Sequence, residues 1–212
     1  MKIYDVTVPI SEGVPIYSGD PAVRIESPST IAAGDGANVS HLCFGAHTGT
    51  HVDAPNHFIE GTRRLHELEL DKLVGPCRVV EIDNSVTAIS PAHLPPMNGV
   101  ERILFKTRNS GFWNDTSAGF REDFTYITPD AARVLADSRV KLVGIDYLSV
   151  EAFGSTDFAT HITLLEKEII ILEGLDLREV AAGEYEIVCL PLMYIGGTGD
   201  GAPARTILRD EG

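Results

Sequence analysis

Between positions 47 and 57 the chain reads His-Thr-Gly-Thr-His-Val-Asp-Ala-Pro-Asn-His, and this stretch limits the local fold more than any other. Two histidines four apart suit one face of a helix, but Gly49, β-branched Thr48, Thr50 and Val52, and Pro55 all oppose helix here. An extended chain is predicted instead. Side chains alternate along a strand, so the odd-numbered His47, His51, Asp53 and His57 project to one side. At ~3.3 Å per residue His51 and Asp53 lie ~7 Å apart and can share an ion, whereas a straight strand separates His47 from Asp53 by ~20 Å. The chain must bend between them, and Gly49 takes a bulge or a left-handed turn without a Cβ penalty. Pro55 has no N–H for a ladder, so it ends the strand and puts His57 on a loop beside the other three.

The pattern reads as a bent strand end holding a metal, with one histidine left over. Imidazole and carboxylate suit zinc or a similar borderline ion, and three protein ligands with a position left open mark catalytic rather than structural sites. The competing reading, polar residues of a solvent-facing strand and loop, leaves their density unexplained.

Written as His-x-Gly-Thr-His-x-Asp-x-Pro-x-His, the stretch resembles the signature of the putative cyclase family, which includes bacterial kynurenine formamidases and isatin hydrolase-like enzymes. The resemblance continues through Gly144-Ile-Asp146, His161, Ile170-Ile-Leu-Glu-Gly-Leu175, Gly183-x-Tyr185, Leu190-Pro-Leu192 and Pro203-Ala-Arg205, and so spans nearly the whole chain. It implies an α/β fold: a single β/β/α swivelling-type domain over residues 1–212, with a mixed sheet and barrel-like core, working as a homodimer. It also implies metal-dependent hydrolysis of a small amide, with two adjacent zinc ions per chain or manganese in their place.

On that footing one ion belongs to His47, His51 and Asp53, and would lower the pKa of its water from about 16 toward ~7. Residues matching His161 and Glu173 complete a second site, with Asp53 bridging, that polarises the carbonyl. His57 becomes the catalytic proton carrier, since an ordinary imidazole pKa of ~6.5 suits both accepting and donating. Tyr17 stands where kynurenine formamidases carry an aromatic, usually Trp, that lines the substrate pocket; its other reading is a turn aromatic packed on the core. N-formylkynurenine, giving kynurenine and formate, is the candidate substrate. Ring opening of a cyclic amide such as isatin is the alternative, followed by a lyase or cyclase, or a non-catalytic metal-binding protein. Coordination separates the last, because structural zinc sites are closed and often rich in thiolate.

Composition sets the surroundings. A chain of 212 residues with 43% hydrophobic content is long enough for one core, and no linker divides it. The start Met-Lys-Ile-Tyr-Asp-Val lacks an apolar leader and no apolar run approaches membrane-spanning length, so a soluble, cytoplasmic protein is expected. Three scattered cysteines without a Cys-x-x-Cys pair suit reduced thiols. Cys43 shares the parity of His47 and is read as a buried small residue, with ligation the alternative. A formal net charge of -14 opposes nucleic acid and anionic membranes as partners.

Elsewhere, strands are predicted at 3–9, 23–31 and 39–46, the last running into the motif, and at 78–82, 102–106, 142–145, 168–172 and 185–190. Leucines at helical spacing predict a helix over 64–74, stopped by Gly75 and Pro76. Thr128 and Pro129 open a further helix, and 158–165 a short one carrying His161. The aromatic- and glycine-rich 107–125 is read as a lid over the site, or else as packing on the body. Asp146 has three open roles: catalytic, partner of a site residue, or loop cap. Arg205 pairs either with the site or on the surface, and His41, His66 and His93 are assigned to the surface. Glu173, directly after an aliphatic run, needs a metal or an Arg to offset its burial. The stretch 196–201 is read as a flexible loop, without the ending of a phosphate-binding loop.

Overall fold

The computed structural model describes residues 1–210. Its strands are β1 (Lys2–Asp5), β2 (Arg24–Ser29), β3 (Val39–Cys43), β4 (His51–Asp53), β5 (Val74–Glu81), β6 (Ala88–Ile89), β7 (Arg102–Lys106), β8 (Tyr126–Ile127), β9 (Leu142–Ile145), β10 (Ile170–Glu173), β11 (Gly183–Pro191) and β12 (Gly201–Asp210). The α-helices are α1 (Leu70–Leu73), α2 (Pro129–Asp137) and α3 (Ala159–Leu165). The main sheet runs β1-β12-β11-β5-β7-β9-β10-β4, and β4 pairs back onto β12, so seven strands close into a barrel with β1 appended. In this sheet β5, β7, β9 and β10 are parallel neighbours and the remaining pairings are antiparallel, while β6 and β8 form a separate parallel pair. The result is the mixed, barrel-like α/β architecture anticipated from the sequence.

Strand alternation divides the core in two. Val52, Val79, Leu104, Leu142, Leu172 and Ile187 fill the barrel. Ile103, Phe105, Val143, Ile145 and Ile171 face outward beneath Ala131 and Leu135 of α2 and Leu164 and Leu165 of α3. A fully buried aliphatic side chain contributes ~1.5–3 kcal/mol relative to exposure, so these two layers dominate the driving force. Helix α2 begins as its sequence demands: the Thr128 hydroxyl accepts from Ala131 N at 3.3 Å, and Pro129 occupies the first turn.

Several expectations need correction. Segment 64–74 forms a 3-10 turn, Leu65–Glu67, and the single turn α1 rather than one helix. Gly75 and Pro76 do not stop it but lie inside β5. Gly75 adopts φ +134 with the Arg102 guanidinium where a Cβ would stand, and β7 joins β5 only from Arg78 onward, leaving Pro76 outside that ladder. The 3–9 strand shortens to β1, with Thr7 bridging Leu175 beyond it. The predicted 23–31 and 39–46 strands shorten to β2 and β3, an exposed hairpin of its own that ends before the motif. Cys43, at its end, is exposed rather than buried, since this hairpin adds nothing to either core layer.

The 107–125 segment is not a lid. It winds into 3-10 helices Arg108–Asn114 and Thr116–Ala118, and Trp113 and Phe124 are buried around Tyr147. The Trp113 indole N–H donates to the carbonyls of Asp146 (3.1 Å) and Leu175 (2.9 Å), so a large apolar group and its one donor are satisfied together inside the body. Asp146 accepts from the backbone N–H and hydroxyl of both Thr107 and Ser110. It caps the turn after the neighbouring strand β7 and not the loop that follows it, because parallel pairing sets the ends of β7 and β9 side by side. Arg205 pairs with Asp5 and His41 with Glu26, both on the surface. Among the described residues no helix is long and apolar enough to cross a membrane.

Candidate active site

The site grows from the outer face of the barrel where β4 is held between β10 and β12. Val52 points into the barrel, so its neighbours His51 and Asp53 must point out. His51 is the direct register partner of Glu173 on β10, and Asp53 that of Gly201 on β12. The bend required by the sequence occurs at Gly49, φ +65. It is locked by a second glycine: Gly174, φ +67, ends β10 with the Gly49 carbonyl packed where its Cβ would stand. The Thr50 hydroxyl donates to the Gly174 carbonyl at 2.5 Å and accepts from Val8 N at 2.8 Å. Pro55–His57 forms a 3-10 turn that returns His57 to the cluster, where its ring stacks on His47 at 4.0 Å between centroids. Helix α3 delivers His161.

All five residues assigned to metals from the sequence converge. His51 Nε2 lies 3.2 Å from Glu173 Oε2 and 3.6 Å from Asp53 Oδ1. His161 Nε2 lies 3.4 Å from Glu173 Oε1 and 3.8 Å from Asp53 Oδ2. His47 Nδ1 is 2.8 Å from Asp53 Oδ1. Three of the histidines are also gripped from outside. The second ring nitrogen of His47 meets Asp200 Oδ2 at 2.8 Å, that of His51 the Gly49 carbonyl at 2.9 Å, and that of His161 Glu151 Oε2 at 3.2 Å. Among the described residues the His57 ring forms no hydrogen bond.

The donor set suits a divalent cation. Among the described residues His51 Nε2 and Asp53 Oδ2 are buried without a hydrogen-bond partner, and an unpaired donor or acceptor of that kind costs ~1–3 kcal/mol. Asp53 lies in both groups of side chains close enough to hold an ion, one with His47 and His57, the other with His51 and Glu173. His57 thus stands within reach of the first group as well as facing the cavity.

Electrostatics follow from crowding four histidines against buried acids. Burial opposes charge on His47, yet Asp53 and Asp200 prevail and hold its pKa up at about 10. Burial likewise opposes charge on His161, where Glu151, Glu173 and Asp53 raise it to about 9. Burial pushes Asp53 and Glu173 up, but the histidines outweigh it and both carboxyls lie below the usual range. Burial pushes His57 down, with His47 and His161 adding to the effect.

The cluster opens into a cavity of ≈ 390 Å³ lined by Tyr17, Asp20, Phe58, Leu148, Phe158 and the histidines. Tyr17 is therefore at the pocket, backed by Phe120 at 4.9 Å. Sequence reasoning missed Glu151, Asp200, Phe58 and Phe158. An acid flanked by glycines at 199 and 201 was the available signal for Asp200. Glu151 follows the C-terminal end of parallel strand β9, where α/β sheets place ligand sites.

A family described as "Putative cyclase" matches residues 4–152, which include the whole histidine motif. This chain belongs to that family. Kynurenine formamidase of Salinibacter ruber is 38% identical, covering 99% of this chain and 98% of its own. A solved potential metal-dependent hydrolase with cyclase activity is 38% identical, covers 98% of this chain and 96% of its own, and superposes with a TM-score of 0.81. An isatin hydrolase bound to thioisatinate superposes at 0.84 over 98% of this chain and 91% of its own, but at 19% identity it speaks for the fold alone.

Proposed function

We propose that this cyclase-family enzyme is a metal-dependent hydrolase of aryl formamides, with N-formylkynurenine the substrate to test first. The observation that carries the reading is the pair of buried atoms, His51 Nε2 and Asp53 Oδ2, that face charged neighbours at the centre of the cluster but form no hydrogen bond among the described residues. The family and its formamidase relatives support amide hydrolysis. His47, His51 and Asp53 would hold one ion, and His161, Glu173 and the bridging Asp53 a second; zinc fits the imidazole and carboxylate donors, manganese being the alternative. Divalent cations bound there supply Lewis acidity, lowering the pKa of water and polarising a carbonyl.

The chain's own residues do the rest. Tyr17, Phe58 and Phe158 grip an aryl ring and exclude water from the cluster, while the outer partners of the histidines keep the donors aimed. His57, kept neutral by burial, takes the proton released as water adds to the formyl carbon. It then hands that proton to the nitrogen as the C–N bond breaks, giving formate and the aryl amine. A homodimer belongs to the same proposal, because the β2–β3 hairpin exposes Ile25, Val39 and Leu42 and needs cover. Three free cysteines accord with a cytoplasmic setting.

The test is kcat/KM for N-formylkynurenine, isatin and a simple ester on metal-loaded enzyme, beside Tyr17→Trp. The formamide should be hydrolysed by both proteins, and the indole should shift the preference among substrates, because a phenol offers less stacking area and adds a hydroxyl. A panel inert with both would overturn the amide reading. Elemental analysis should find two ions per chain. A value at or below one that His161→Ala leaves unchanged would refute the second site.

A further inference from the structure

We propose that Asp200 is a positioning residue for His47: its carboxylate holds the proton on Nε2, so that the Nδ1 lone pair faces Asp53 and the metal centre. This rests on reading the cluster as a metal site and adds a residue to it.

A neutral imidazole carries its proton on one nitrogen only, and the partner of one nitrogen decides what the other can do. His51 and His161 are each tied at Nδ1, by the Gly49 carbonyl and by Glu151, and present Nε2 to Asp53 and Glu173. His47 is mounted the other way round. Its Nδ1 lies 2.8 Å from Asp53 Oδ1, so the outward nitrogen is Nε2, which meets Asp200 Oδ2 at 2.8 Å. Asp200 thus fills for His47 the place that Glu151 fills for His161.

The segment presenting Asp200 is built to lie against that ring. A Cβ at Gly201 would come within 2.8 Å of His47 Cε1, and one at Gly199 within 2.9 Å of the Arg64 Cβ, so neither neighbour of Asp200 can carry a side chain without displacing something. The loop is tied down despite its glycines. Leu65 N donates to the Gly199 carbonyl and Ala54 N to the Asp200 carbonyl, both at 2.8 Å. Asn56 Nδ2 donates to the Thr198 carbonyl at 2.8 Å, and the Thr198 hydroxyl donates to the second carboxylate oxygen of Asp200. The carboxylate therefore has a fixed orientation, which a residue that sets a tautomer needs.

The experiment measures Zn2+ affinity of metal-free protein by competition with a fluorescent chelator, for wild type, Asp200→Ala and Asp200→Asn. Melting temperatures of the metal-free forms and ring-15N NMR of the Zn2+-loaded forms accompany it. Asp200→Ala should weaken Zn2+ binding by roughly 10- to 100-fold, the usual effect of removing a partner behind a ligand histidine. Asp200→Asn should lose less, because its amide oxygen still accepts from Nε2–H without the charge, and it serves as the measure if the alanine variant does not fold. In loaded wild type the His47 Nε2–H should be hydrogen-bonded to Asp200, seen as a downfield-shifted and slowly exchanging proton, and in Asp200→Ala that shift and protection should be lost. Unchanged affinity and an unchanged His47 proton in both variants, with wild type binding Zn2+ normally, would overturn this inference alone. Wild type that binds no Zn2+ would overturn the metal reading and this inference with it.

Discussion

Among the described residues His57 differs from the other three histidines of the cluster in having neither an outer partner nor a hydrogen bond to an acid. Its ring is held by stacking on His47 and by an edge contact with Phe58 at 4.3 Å. Stacking fixes the plane of a ring while leaving both nitrogens available, as a proton carrier requires and a ligand does not. His57→Ala should leave metal content intact and lower kcat by roughly 10²- to 10⁴-fold, the reach of general acid-base catalysis. His51→Ala, which removes a buried donor from the centre, should lose metal. Equal metal loss in the two variants would make His57 a ligand of the His47 and Asp53 group.

At the scale of elements, the site depends on how closely the Gly49 turn can pass the end of β10. Gly174 has φ +67 and no room for a Cβ beside the Gly49 carbonyl. Gly174→Ala should therefore destabilise the metal-free protein by about 2–4 kcal/mol, from left-handed strain and the clash together, and pull Glu173 away from His51. Gly111, with open space around it and an ordinary φ, is the control: Gly111→Ala should stay within ~0.5 kcal/mol. Urea unfolding of both variants makes the comparison, and equal destabilisation would show that the crossing is not under this constraint. The turn itself was legible, since Gly49 was needed to bring His47 to Asp53. The locking glycine was not, because it acts on a segment far away along the chain.

Across the whole molecule, burying acids among imidazoles makes metal-free stability depend on pH from both sides. His47 and His161 hold their protons up to pH 9–10 when folded but only to about 6.5 when unfolded. Their contribution is present in full below that unfolded value and fades as pH rises toward 10. Asp53, Asp200 and Glu173 have lowered folded pKa values, so their contribution is present above about pH 4 and is lost as pH falls below it. The melting temperature of chelator-treated protein should peak between about pH 4.5 and 6.5 and decline toward pH 10. A flat profile from pH 6.5 to 10 would refute the ion-paired arrangement of His47 and His161. Saturating Zn2+ should raise the melting temperature at neutral pH, because an ion that binds only the folded state stabilises it.

Local rules were enough to read the extended stretch at His51–Asp53, the bend at Gly49, the end at Pro55 and the capped helix α2, whereas His47 lies in the turn before that strand and His57 in the 3-10 turn after it. Each follows from backbone sterics and side-chain alternation within a few residues. Resemblance to the cyclase family joined His161 and Glu173 to that motif, something no local rule could do. Only the tertiary structure decided that Asp200 and Glu151 grip the histidines, that Trp113 packs into the body, and that Gly75 and Pro76 run on within a strand. Those outcomes depend on which segments the closed barrel brings together. The pairing of β4 with both β10 and β12 sets the neighbours of His51 and Asp53, and strand pairing between distant segments leaves no mark in the spacing of either one.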